Sequence, residues 1–126
     1  MSNLCRGRIV RVEVLDPQGR NPKCRPAVIL TPTEEITPDG EVILVAISGR
    51  TDVAPPEMQV ELPWQAQGHT RTRLNKPAVA VCTWLFKRPV ATIKSFGGVV
   101  PARQMLEIIV KVSAVGPLEP PDMLPT

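Results

Sequence analysis

Two places in the chain put a chemically useful polar group at the end of an apolar run. In Lys23-Cys24-Arg25-Pro26-Ala27-Val28-Ile29-Leu30-Thr31, an arginine stands ahead of an apolar, partly β-branched stretch. That stretch, Ala27 to Leu30, reads as a short strand buried on both faces. Pro26 biases Arg25 towards an extended backbone, which would hold the guanidinium at the strand's mouth. A second apolar run, Val42 to Ile47, ends in Ser48-Gly49-Arg50-Thr51, where a hydroxyl, a flexible residue and a cation emerge together. Further cations lie in connections: Arg20 and Lys23 ahead of Arg25, and His69, Arg71, Arg73 and Lys76 in the polar stretch from Trp64 onwards. A fixed guanidinium, a hydroxyl and a field of cations suit a phosphate-bearing partner.

Charge distribution supports that reading more than net charge does. The formal charge is only +3, but Pro63 to Lys111 holds Arg71, Arg73, Lys76, Lys87, Arg88, Lys94, Arg103 and Lys111 against the single acid Glu107. Such asymmetry fits a phosphate-binding face, and it also fits an ordinary solvated basic surface.

Several chemistries are excluded. There is no GxxxxGK[ST] or GxGxxG loop for nucleotides. One histidine rules out a two-histidine ribonuclease within one subunit, and HExxH zinc chemistry is absent. Cys5, Cys24 and Cys82 leave at least one thiol unpaired and show no CxxC spacing, so neither a disulfide framework nor a zinc site is indicated. Nothing local orients Cys24 and His69 as a nucleophile and base. No metal or organic cofactor is expected. The reduced thiols, with no apolar run of membrane-spanning length and no signal-peptide core at the N-terminus, point to a cytoplasmic protein.

The elements that would position these residues are short. A chain of 126 residues with 15 prolines and 8 glycines favours one small β-rich domain, expected over residues 1–115, with a Pro-rich tail over 116–126 that packs poorly. Residues Arg8 to Val14 alternate, with Val10, Val12 and Val14 inward, Arg11 and Glu13 outward, and Ile9 at the outer end. A basic, mobile loop from Asp16 to Pro22 follows. After the Ala27–Leu30 strand, Asp39-Gly40 marks a turn into the Val42–Ile47 strand. Met58, Val60 and Leu62 give a fourth strand, Ala78–Thr83 a fifth and Val90–Ile93 a sixth, with Gly97-Gly98 as a break. Pro101 opens a helix with Ala102, Met105, Leu106 and Ile109 on one face; Leu106 to Val112 also alternates as a strand would. The whole predicts a mainly β protein, a small SH3-like antiparallel barrel with a C-terminal helix. Trp64 and Trp84 are read as core or dimer contacts rather than stacking platforms.

The order of Arg6-Gly7-Arg8-Ile9-Val10, Arg25-Pro26-Ala27-Val28-Ile29-Leu30, Leu44-Val45-Ala46-Ile47-Ser48 and Leu74-Asn75-Lys76-Pro77, with a late glycine before a terminal helix, resembles the MazF/PemK endoribonuclease toxins. The likeness spans Arg6 to Val112. It implies a homodimeric barrel of the type also seen in the gyrase poison CcdB, metal-independent cleavage of single-stranded RNA, and inhibition by a cognate antitoxin. Arg25 would match the family's arginine that stabilises the phosphorane. Ser48 falls where the family usually has threonine, and Arg20, Lys23, Arg50, His69, Arg71, Arg73 and Lys76 would contact RNA. The chain departs from the pattern at three points: Arg8 where an acid follows the first glycine, Val81-Cys82-Thr83 where some members carry Arg and Asp, and Ala78 where a serine is common. Those departures leave a second reading open, a catalytically silent barrel that binds a protein partner.

Overall fold

The computed structural model describes residues 4–14, 20, 22–50 and 54–114; the expected tail and most of the Asp16–Pro22 loop lie outside them. Within the described residues six strands form a single antiparallel sheet: β1 (Arg8–Val14), β2 (Lys23–Ile29), β3 (Glu41–Ser48), β4 (Gln59–Glu61), β5 (Val79–Pro89) and β6 (Ser95–Val99). One helix follows, α1 (Ala102–Ala114). The strand order is β4-β5-β3-β2-β1-β6.

The paired centre of the sheet, Ala27–Ile29 of β2 and Val42–Ile47 of β3, is apolar at every step because both faces are covered there. Ala27, Ile29, Val42, Leu44 and Ala46 join Val10, Val12, Val14 and Phe86 in one core. Val28, Leu30, Val45 and Ile47 join Val60, Leu62, Ala80 and Cys82 in the other, which is roofed by Met105, Ile108 and Val112 of α1. Val10, Val12 and Val14 alternate with exposed Arg11 and Glu13 as the sequence predicts, and Ile9, near the start of β1, is 3% exposed and packs in the helix-side core.

Four boundaries differ from the sequence reading. β2 begins at Lys23, so Arg25 lies inside the strand, opposite Val12, and not at its mouth. Pro26 is tolerated there because pairing with β3 starts only at Ala27, leaving the first half of β2 bonded on one side. β5 runs on to Pro89 instead of stopping near Thr83, and Val90–Thr92 is a 3₁₀ turn held by Val90 N–H donating to Gly40 O at 2.9 Å. The sixth strand is instead Ser95–Val99, and Gly97-Gly98, expected to break the chain, sits within it at a bulge between the Arg8–Val99 and Val10–Phe96 pairs.

Residues 102–114 are helical, which settles the helix–strand ambiguity, and Met105 N–H donates to Pro101 O at 2.9 Å, so Pro101 is the capping residue just ahead of the helix. The buried stripe is Met105, Ile108 and Val112; Leu106 points outward at 64% exposure. The expected stripe was rotated by one residue because Leu106 is apolar yet falls on the solvent side.

The 62–78 connection is ordered. Leu62 N–H donates to Ala78 O at 3.1 Å beside β4 and β5, and at the opposite end of the sheet Val99 and Gly98 N–H groups donate to Arg71 O and Thr72 O at 2.7 and 3.2 Å. The connection thereby bridges the open side of a sheet curled into a half-barrel. Thr72, 1% exposed, is its internal anchor: its hydroxyl donates to Pro63 O at 2.6 Å and accepts from Leu74 N–H at 3.2 Å.

A Cβ on Gly98 would collide with the Arg71 carbonyl and the Thr72 backbone, neither of which can swing away. Gly98→Ala is therefore expected to cost at least about 2 kcal/mol, a drop of roughly 10 °C in Tm. Gly97→Ala, whose Cβ would meet Ile9 only at ordinary contact distance, is expected to stay within about 3 °C of wild type by the same scale in a thermal melt.

Candidate functional site

β2 and β3 pair through Ala27 with Ala46, Val28 with Val45 and Ile29 with Leu44. Arg25 and Ser48 each lie two residues beyond the last of these pairs, Ala27 with Ala46. Strand alternation puts both on the face of Ala27, Ile29, Leu44 and Ala46, away from α1. The two residues singled out for chemistry thus share a face of the sheet, each just past the point where β2 and β3 cease to be paired.

Arg25 is half-buried, and no carboxylate among the described residues pairs with it. Its guanidinium instead lies over the indole of Trp84, 6.0 Å from the ring centroid. Trp84 reaches this position from a bulge in β5: Val45 pairs with Leu85 and Ile47 with Ala80, so Val81 to Trp84 stand against Ala46 alone. Trp84 packs on the same core as Ala27 and Ala46, which agrees with its reading as a core contact, but nothing in the sequence pointed to its lying over Arg25.

Ser48 is 7% exposed, and its Oγ accepts the Arg50 N–H at 3.1 Å. That bond fixes the oxygen at the strand end and leaves the hydroxyl proton to donate elsewhere. Gly49 brings the chain close to Pro77, whose carbonyl lies 3.9 Å from where a Gly49 Cβ would be, so Lys76 and Arg50 flank the Ser48 end of the sheet.

The other cations are more dispersed. Lys23 shares the strand and face of Arg25, and Arg20 is exposed just upstream. His69, exposed, donates its backbone N–H to Gln65 Oε1 at 3.2 Å, and Arg73 adopts a positive φ of 60°. Arg71 is tied by its carbonyl to Val99, which pairs with Arg8, four residues along β1 from the Val12–Arg25 pair. That is about 13 Å along the strand direction. Two cations of the basic region have internal work: Lys111 bridges Glu107 at 3.2 Å and donates to Gln59 O at 2.7 Å, and Arg88 lies over Phe86 at 4.9 Å. Arg8 donates to Gly97 O at 2.9 Å and ties β1 to β6.

Among the described residues no group of His, Cys, Asp and Glu is arranged to hold a metal ion. Nor is any described helix long and apolar enough to cross a membrane.

This architecture defines a class: a curled six-stranded antiparallel half-barrel with one C-terminal helix. The particular fold is that of the MazF endoribonuclease toxins. A structure described as an endoribonuclease from mycobacterial species superposes with a TM-score of 0.67 at 13% identity, over 95% of this chain and 98% of that one. MazF from Deinococcus radiodurans gives 0.66 at 18% identity, over 89% and 94%. An endoribonuclease in complex with its cognate antitoxin, also mycobacterial, gives 0.63 at 14%, over 90% and 93%. No family sequence model and no curated protein sequence matches the chain.

The thiols separate by environment. Cys24 is exposed, while Cys82 is fully buried in the helix-side core, and burial pushes its pKa from 9.0 up to about 11 despite the opposing pull of Lys111. The folded protein therefore holds a proton that the unfolded chain releases, so this contribution to stability is intact below pH 9 and is lost as pH rises towards 11. Cys82→Val is expected to gain on wild type across that window by up to about 3 kcal/mol, read from denaturant melts at stepped pH. Native protein should expose Cys24 but not Cys82 to a thiol reagent.

Proposed function

We propose that the protein is a MazF-like toxin that cleaves single-stranded RNA. The reading is carried by Arg25 and Ser48 on one face just past the β2–β3 pairing, a guanidinium with no carboxylate partner among the described residues and a hydroxyl with a proton to give. The MazF fold supports it, and so does the presence of an endoribonuclease among the solved structures of that fold.

The ribose 2′-oxygen gives up its proton to solvent and bonds to the adjacent phosphorus, the P–O5′ bond breaks, the leaving 5′-oxygen takes a proton from solvent, and the products are a 2′,3′-cyclic phosphate and a 5′-hydroxyl. Charge builds on the non-bridging oxygens of the phosphorane, where Arg25 donates charge-assisted hydrogen bonds. The Ser48 hydroxyl, oriented by the Arg50 N–H, donates to one of the same oxygens. Because the nucleophile belongs to the substrate, the reaction does not require a metal to generate it.

Lys23, Arg50 and Lys76 lie at the Arg25–Ser48 end and are the nearer phosphate contacts. Arg20, His69, Arg71 and Arg73 extend the basic track along the 62–78 connection and the loop before β2. The functional unit in this reading is a cytoplasmic homodimer inhibited by an antitoxin; one solved structure with this fold is bound to its cognate antitoxin. A silent, protein-binding barrel is not favoured. Of its supporting departures, Arg8 is accounted for by its bond to the Gly97 carbonyl, a structural duty that an acid at that position could not perform.

Purified protein is expected to cut single-stranded RNA in the presence of EDTA. Arg25→Ala should lower the rate by about 10²–10³-fold with Tm unchanged, and Ser48→Ala by less, with Ser48→Thr restoring it. Growth arrest on induced expression with total RNA intact on a gel would sink the nuclease reading in favour of a protein target. Charge removal at Lys23, Arg50 or Lys76 should weaken binding of an uncleavable 2′-deoxy oligonucleotide and reduce its salt slope by about 0.7 each.

A further inference from the structure

Arginine is a poor tool for stabilising a transient anion unless something holds its long, rotamer-rich side chain where the charge will appear. The usual anchor is a carboxylate, which also cancels the charge and occupies the in-plane N–H donors that a phosphate would need. Arg25 has no such partner among the described residues. Its anchor is an aromatic face, the indole of Trp84. Contact through the ring face takes up one flat side of the guanidinium and leaves its rim of N–H groups open.

The sheet is built to permit this contact. Trp84 belongs to β5, which is separated from β2 by β3. On the face they share, the intervening pair is Ala27 with Ala46, two of the smallest side chains available, and they leave room for an indole to extend past β3. The extra residues of the β5 bulge, Val81 to Trp84 against Ala46, place the tryptophan at this row. Phe86 and Arg88, further along β5, repeat the pairing of ring and guanidinium at 4.9 Å, but there Arg88 also donates to the Lys87 and Glu13 carbonyls, so two of its donors are engaged. Among the described residues the Arg25 guanidinium makes no such bond.

We propose that Trp84 is the positioning residue for Arg25, holding the guanidinium from one side so that its donors face the scissile phosphate. The proposal rests on the nuclease reading above for its consequence in catalysis, but not for the contact itself.

The test uses the full chain with Trp84→Phe, Trp84→Leu and Arg25→Ala, singly, and with Trp84→Leu combined with Arg25→Ala. In ¹H–¹⁵N spectra the Arg25 Nε–H, identified by its loss in Arg25→Ala, should lie upfield through the ring current in wild type and Trp84→Phe, and return to the ordinary position in Trp84→Leu. On single-stranded RNA, Trp84→Leu should lower kcat by about tenfold or more while KM and the affinity for the 2′-deoxy oligonucleotide move less than about threefold. Trp84→Phe should recover most of the rate, and Trp84→Leu should add nothing once Arg25 is Ala. An unshifted Nε–H in wild type overturns the contact. Full activity of Trp84→Leu overturns the positioning role, as does a loss confined to binding, which would make the ring a platform for a base. Wild-type protein that leaves RNA intact defeats the nuclease reading and the catalytic role together, while the Nε–H position decides independently whether the ring holds the arginine.

Discussion

The molecule depends on the seam between β2 and β3, where Ala27, Val28 and Ile29 lie against Ala46, Val45 and Leu44 with apolar packing above and below. A slip of one residue would exchange the two faces of a strand, sending residues shaped for the helix-side core into the other core and carrying Arg25 to the wrong side. Burial on both faces therefore fixes more than stability. It fixes which way Arg25 and Ser48 point, because each is simply the next same-face residue after the seam ends. The placement of these two polar residues follows from the apolar residues before them.

Around that seam the two sides of the sheet are finished differently. On the β5 side, a bulge bends a strand of eleven residues so that its first part pairs with β4 and its second with the start of β3. On the β6 side, a second bulge, at Gly97-Gly98, lets a connecting segment approach closely enough to bond through Arg71 and Thr72. The curvature comes from these two irregularities, and the 62–78 connection spans what they leave open.

What could be read in the sequence follows the strength of local patterning. The Val10-Val12-Val14 alternation and the apolar runs before Thr31 and Ser48 are dense enough to specify buried strands, although the start of β2 at Lys23 was not legible and puts Arg25 inside the strand. The helix was legible from Pro101 and its period, but Leu106, apolar and exposed, pulled the predicted face one residue round. Bulges were not legible: Thr83-Trp84 looks like the end of a strand, and Gly97-Gly98 like a break, because an irregularity that is resolved by pairing with distant residues leaves no periodic trace. The Arg25–Trp84 contact was hidden for the same reason, since it joins residues brought together only by the order of strands.

Lys111 illustrates a protection that sequence charge counts conceal. β4 is the outermost strand on its side and only three residues long, and the ammonium of Lys111, steadied by Glu107, donates to the Gln59 carbonyl within it. A cation laid on a short terminal strand discourages another chain from continuing the ladder there. The helix thus acts as a guard against runaway intermolecular β-assembly, a hazard for any half-barrel that stops before closing on itself.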